Sequence, residues 1–181
     1  MKAARPELIR VGKSAWRALP VVIAVAGAWT TFSFAGGTPD PAPAAPQQPE
    51  NPWVEADLLA PAALARELAG PAAGERPCVL CVGFPPLYRG AHIPGATLAG
   101  PASRPEGIAA LKRAVQNLAP TRPIVIYCGC CPIKDCPNLR PAFRTLRDLG
   151  FRQIRVLELP NNFPQDWSAK GFPVQKGDDP H

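Results

Sequence analysis

Four cysteines fall within nine residues of this chain, Cys128, Cys130, Cys131 and Cys136, with Lys134 among them and Arg140 just beyond. Thiols at that density suit three kinds of chemistry. One can act as a nucleophile and carry a sulfur atom as a persulfide. A neighbour can then resolve the adduct into a reversible disulfide. Clustered thiolates can also hold a soft metal ion.

Cys128 is the candidate nucleophile because of the elements that must position it. Ile124, Val125, Ile126 and Tyr127 form an apolar run led in by Pro120 and Pro123, which predicts a buried strand ending at Cys128. The stretch from Gly129 to Pro137 is too rich in turn-formers for regular structure. Leu139, Phe143, Leu146 and Leu149 then recur at helical spacing, with Asn138 as cap, Pro141 in the first turn and Gly150 as the stop. A thiol between a strand end and a helix N-terminus meets backbone N–H groups and the positive end of the helix, which favour a thiolate and an oxyanion beside it. Lys134 and Arg140 are the candidate substrate-binding residues for a small divalent anion, Arg by a bidentate grip and Lys as a point charge.

Cys130, Cys131 and Cys136, together with Cys81, are candidate redox or disulfide partners of Cys128. A soft-metal site is weighed and not adopted. The spacing fits no zinc motif, and the adjacent Cys130 and Cys131 are not expected to face one tetrahedral ion. No metal ligand and no cofactor is therefore assigned. The sixth cysteine, Cys78, forms a Cys-x-x-Cys with Cys81, but inside a strand residues three apart point to opposite faces and cannot readily pair. Cys78 is expected to be a small core hydrophobe, and Cys81 to face the Cys128 loop.

The remaining elements follow from periodicity. Val54 marks a possible brief strand, and Asp57 to Ala69 predicts a short amphipathic helix with Pro61 early in it. Cys78 to Val82 is a second apolar strand, and Gly83 to Gly95 is expected to be irregular. Glu106 to Leu118 predicts an amphipathic helix, with Ile108, Leu111, Val115 and Leu118 on one face. Ile154 to Leu159 alternates as a final strand, and Asn161 to Val174 closes the chain around Trp167. Strands alternating with helices imply a parallel sheet covered on both faces. His92 is expected to hydrogen-bond backbone within a turn rather than to act as a base.

The ends of the chain differ in kind. Residues 1–35 place Lys2, Arg5, Arg10, Lys13 and Arg17 before an apolar stretch. This predicts a signal peptide or an N-terminal membrane anchor through residues 18–34, hence export, to the periplasm, with any tether to the inner membrane through that segment. Residues 36–52 are a Pro/Ala-rich linker, 53–176 the folded domain and 177–181 a disordered tail. Much of the formal charge of +6 sits in the leader. The remainder has 15 basic and 13 acidic residues, with no basic patch or aromatic-interleaved motif, which excludes a nucleic-acid partner.

Three stretches resemble a rhodanese-like domain. Tyr88-Arg89-Gly90-Ala91-His92-Ile93-Pro94-Gly95-Ala96 is similar to the family's aromatic-x-x-Gly-His-Ile-Pro-Gly-Ala signature. Ile124 to Cys128 resembles the strand that ends in the active-site cysteine. Gly150-Phe151, Val156-Leu157, Trp167, Gly171 and Pro173-Val174 are similar to the closing pattern. The resemblance implies an α/β fold with about five parallel strands flanked by helices on both faces. It also implies a sulfurtransferase that moves a sulfane sulfur through a cysteine persulfide, from a donor such as thiosulfate to a thiol acceptor. The alternatives are a non-catalytic binding or structural module with its loop cysteines in disulfides, and a thiol redox or metal-binding protein. Several positions depart from the family pattern. Cys81-Val82-Gly83 stands where Asp-Val-Arg is common, Ala91 replaces the glycine before His92, and Pro160-Asn161-Asn162 replaces a Gly-Gly. Eleven residues separate Cys128 from Arg140, a longer and proline-interrupted loop than the family's inward-facing N–H cradle.

Overall fold

The computed structural model describes residues 50–70 and 76–178. The predicted leader, nearly all of the linker and the end of the tail lie outside the described residues. Among those described, no helix is long and apolar enough to cross a membrane.

The sheet is built from five short parallel strands: β1 (Leu58–Leu59), β2 (Cys78–Cys81), β3 (Thr97–Leu98), β4 (Ile124–Tyr127) and β5 (Ile154–Leu157). Their spatial order is β1-β5-β4-β2-β3, so β4 lies at the centre. All four residues of β4 are buried, as expected of a strand covered on both faces. Cys81 pairs with Tyr127, which sets the ends of β2 and β4 side by side at the carboxyl edge. Ligands bind at that edge in open parallel sheets.

Five helices connect and cover the strands: α1 (Pro61–Ala69), α2 (Pro85–Gly90), α3 (Pro105–Val115), α4 (Leu139–Asp148) and α5 (Phe163–Asp166). On one face, Leu111 and Val115 of α3 and Leu139, Phe143 and Leu146 of α4 pack over Leu80, Ile124, Ile126 and Val156. On the other, Leu64 of α1, Tyr88 of α2 and Phe163 of α5 pack with Trp167 over Val79, Val125, Tyr127 and Leu157. The alternation of β4 supplies both cores, and each fully buried aliphatic side chain contributes about 1.5–3 kcal/mol. Trp53 closes the first core edge-to-face against Phe143 at 5.8 Å.

Three expectations are corrected. Leu58 and Leu59 form β1 rather than the start of α1. Pro61 occupies the first helical turn and holds Ala60 extended before it, so the helix cannot begin earlier. Val54 is exposed and precedes a 3-10 turn instead of forming a strand. The stretch from Gly83 to Gly95 contains α2, begun by Pro85 and Pro86, whose missing N–H groups cost nothing in a first turn. The edge strand β3 was not foreseen, since two residues carry no periodicity.

The His92 turn is structural. His92 Nδ1 lies 2.8 Å from the Tyr88 carbonyl and its ring stacks on Tyr88 at 3.8 Å. Its backbone exchanges two hydrogen bonds with Gln175, so the chain's end docks on this turn.

Candidate active site

Cys128 follows the last residue of β4, and the loop after it returns to the sheet by three devices. Gly129 adopts a left-handed backbone (φ 77°), and a Cβ there would stand 2.8 Å from Phe163. Its carbonyl accepts a hydrogen bond from the Phe163 N–H at 3.0 Å, and the Ile133 N–H donates to the Leu159 carbonyl at 3.0 Å. A 3-10 turn over Ile133–Asp135 then brings Cys136 back, fully buried, at the start of α4. Asn161 and Asn162, where the resemblance leads one to expect glycines, build the platform for this. Asn162 caps α5 through Gln165, and the Asp166 carboxylate accepts hydrogen bonds from both asparagines.

The loop gathers four sulfurs. The Sγ atoms of Cys128, Cys130, Cys131 and Cys136 all lie within 4.8 Å of one another. Cys128 Sγ is 3.0 Å from Cys130 Sγ, which is 3.2 Å from Cys131 Sγ. The expectation that Cys130 and Cys131 would not face one centre is thereby corrected. The turn at Gly129 and the 3-10 turn curl the backbone around the sulfurs instead of extending it past them. All six cysteines are free thiols.

Asn138 is the site residue that sequence reasoning missed. It stands at the cap position of α4, yet its side chain makes no cap hydrogen bond. It is wholly buried, accepts a hydrogen bond from the Ser103 N–H at 2.9 Å and donates from Nδ2 to Cys128 Sγ at 3.2 Å. A cap and a buried amide look identical in sequence.

These donors set the acidity of Cys128. The Cys136 thiol donates to it, with Cys130, Asn138 and the Cys130 backbone N–H adding to the effect. Against the opposing pull of burial they bring it from 9.0 down to about 6. Cys136 and Cys130 are pushed up in turn. Their protons serve the Cys128 anion, and both thiols are desolvated. Among Cys128, Cys130 and Cys136 the negative charge therefore rests on Cys128.

Other predicted residues lie apart from the sulfurs. Arg140 clamps the loop, donating from Nη2 to the Lys134 carbonyl at 2.7 Å and from Nη1 to the Cys136 carbonyl at 3.4 Å. Its buried Nε has no hydrogen-bond partner among the described residues. Lys134 is exposed on the 3-10 turn. Cys81 belongs to the opposite core face and stays outside the quartet. It shares with Cys128 a cavity of about 220 Å³, lined also by Pro86, Leu87, Tyr127 and Phe163. Cys78 is half-buried rather than in the core, at the far end of β2 beside Arg76 and Arg122. Gly83 explains one departure from the expected pattern, because a Cβ there would stand 2.6 Å from the Cys128 carbonyl. A larger residue would displace the strand end that presents the thiol.

A parallel α/β sheet with a low-pKa thiol at its carboxyl edge defines the class. No protein-family model matches the sequence, and no curated protein does. Solved structures do. The thiosulfate sulfurtransferase of Pseudomonas aeruginosa is 26% identical over 74% of this chain, with a TM-score of 0.52, although the match spans only 21% of that enzyme. The BH2092 protein of Bacillus halodurans is 21% identical over 65% of this chain and 75% of its own, with a TM-score of 0.50. The rhodanese-like domain of the Anabaena Alr3790 protein is 24% identical over 69% and 89%, with a TM-score of 0.47. The domain described here has the fold of the rhodanese-like domains.

Proposed function

We propose that the domain is a sulfurtransferase acting through a Cys128 persulfide. The observation that carries this reading is Cys128 itself, a buried thiol at the end of the central strand, held as its anion by converging donors and open to a cavity. With thiosulfate as donor, the Cys128 thiolate attacks the sulfane sulfur, the S–S bond breaks and sulfite leaves with the electron pair. The product is Cys128–S–S⁻. An acceptor thiolate then attacks the outer sulfur and regenerates the Cys128 thiolate, so no net oxidation occurs. The same N–H and S–H donors serve the persulfide anion, and the positive charges of Lys134 and Arg140 favour the approach of the donor dianion. Export to the periplasm belongs to the proposal too, resting on the basic and apolar pattern of residues 1–35.

The test is mass spectrometry of the reduced, metal-free protein before and after thiosulfate. One added sulfur on the Cys128 peptide, removed by cyanide and absent in Cys128→Ser, supports the reading. A Cys128 that stays unmodified while reduced and accessible to alkylation sinks it. The 3.0 Å approach of Cys130 favours a second reading, in which Cys128 and Cys130 form a reversible disulfide. Loss of two hydrogens on mild oxidation, mapped to that pair and reversed by a dithiol, would identify it.

A further inference from the structure

Sulfur transfer needs one thiol, and resolution needs two. Four converge here, with no carboxylate or imidazole in the group. Around a tetrahedral Zn²⁺ with Zn–S bonds of about 2.3 Å, neighbouring sulfurs stand roughly 3.8 Å apart. The separations in the cluster start at 3.0 and 3.2 Å and none exceeds 4.8 Å. They bracket the tetrahedral value, and side-chain shifts of about 1 Å or less reach it.

The surroundings also suit metal-bound thiolates, which need N–H donors to hold and orient them. Asn138 Nδ2 and the Cys130 N–H donate to Cys128, and the Asn138 and Leu139 N–H groups at the start of α4 donate to Cys136. Cys128 and Cys136 form a buried floor, while half-buried Cys130 and Cys131 leave a path from solvent. Four thiolates on a divalent ion leave two negative charges. Lys134 on the loop, Arg140 in the first turn of α4 and the α4 N-terminus itself offset them.

We propose that Cys128, Cys130, Cys131 and Cys136 form a tetrathiolate site for Zn²⁺, and that metal occupancy and persulfide loading at Cys128 exclude each other. Binding is not a redox step. Zn²⁺ displaces the proton of each protonated thiol, those protons pass to the buffer, and four Zn–S bonds form. The binding half stands on the sulfur geometry alone, and the exclusion half rests on the sulfur-transfer reading.

The experiment titrates the reduced full chain with Zn²⁺ under anaerobic conditions against a chromogenic chelator, with Co²⁺ as the spectroscopic probe. The expected result is one equivalent bound, with thiolate-to-Co²⁺ charge-transfer bands and the intense visible bands of a tetrahedral all-sulfur site. Cys131→Ser should weaken binding roughly tenfold or more, and Cys78→Ser should leave it unchanged. Alkylation of the unsubstituted chain tests the site without depending on the folding of a variant, because Zn²⁺ should protect all four loop cysteines. Substoichiometric binding, protection of only two thiols, an octahedral Co²⁺ spectrum or unaltered binding by folded Cys131→Ser would each overturn the site. Persulfide loading is read separately on metal-free protein. If Zn²⁺ binds but no sulfur loads, the enzyme reading fails and the metal site stands. If sulfur loads equally well with Zn²⁺ bound, the exclusion fails.

Discussion

Cys81 and Cys128 end neighbouring strands, are both buried and line one cavity, yet their chemistry diverges. Desolvation dominates at Cys81 and outweighs the Gly83 N–H and Tyr127 hydroxyl beside it, so its thiol is pushed up to about 12. Cys128 is desolvated too, but its partners outweigh the cost and bring it to about 6. Burial by itself silences a thiol, whereas burial with converging donors activates one.

The largest test of that contrast is reactivity. In reduced, metal-free protein at pH 7.5, Cys128 is expected to alkylate faster than Cys81 by a factor on the order of a thousand, measured by peptide mapping of iodoacetamide labelling. Comparable rates would erase the distinction. Next in size is Gly83→Ala, which drives a methyl group into the Cys128 carbonyl. It is expected to destabilise the domain by about 1–3 kcal/mol in urea unfolding and to slow Cys128 labelling as the strand end shifts.

Asn138→Ala removes one donor and strands the Ser103 N–H. It should raise the labelling midpoint of Cys128 from about 6 toward 9.0 and cost about 1–3 kcal/mol. An unmoved midpoint would show that the sulfurs alone set the acidity. A further effect is on stability against pH. Cys128 has a folded value of about 6 against 9.0 unfolded, so its contribution is absent below pH 6, grows from 6 to 9 and is full above 9. Cys81 acts oppositely: its contribution is present below pH 9 and is lost from 9 to about 12. Urea midpoints should therefore rise toward pH 9 and then fall. Cys128→Ser should flatten the lower limb and also make the upper one shallower, because the Cys128 anion helps to push Cys136, Cys130 and Cys81 up.

The same two cysteines show where sequence suffices. The β-branched run before Cys128 has one reasonable reading, because alternation with the flanking helices demands a strand covered on both faces. Opposite faces for Cys78 and Cys81 likewise follow from a strand's two-residue period, and the structure places them so. The helices α3 and α4 were legible from apolar spacing, while β1, α2 and β3 were hidden by shortness and by prolines that both start helices and break them.

The chain alone determined the parallel α/β architecture, the position of Cys128 at a strand end and the structural part of His92, since each depends on local periodicity or a contiguous motif. Tertiary structure decided the rest. Spacing in Cys-x-Cys-Cys-x4-Cys argued against a shared centre, but a loop's reach depends on its turns, and those are fixed by Gly129 against Phe163 and Ile133 against Leu159. Asn138 became a thiol's partner rather than a helix cap because Ser103, distant in sequence, folds against it and claims its oxygen. Acidity follows the same rule, since a pKa answers to whichever donors the fold brings within reach, and no spacing along the chain records them.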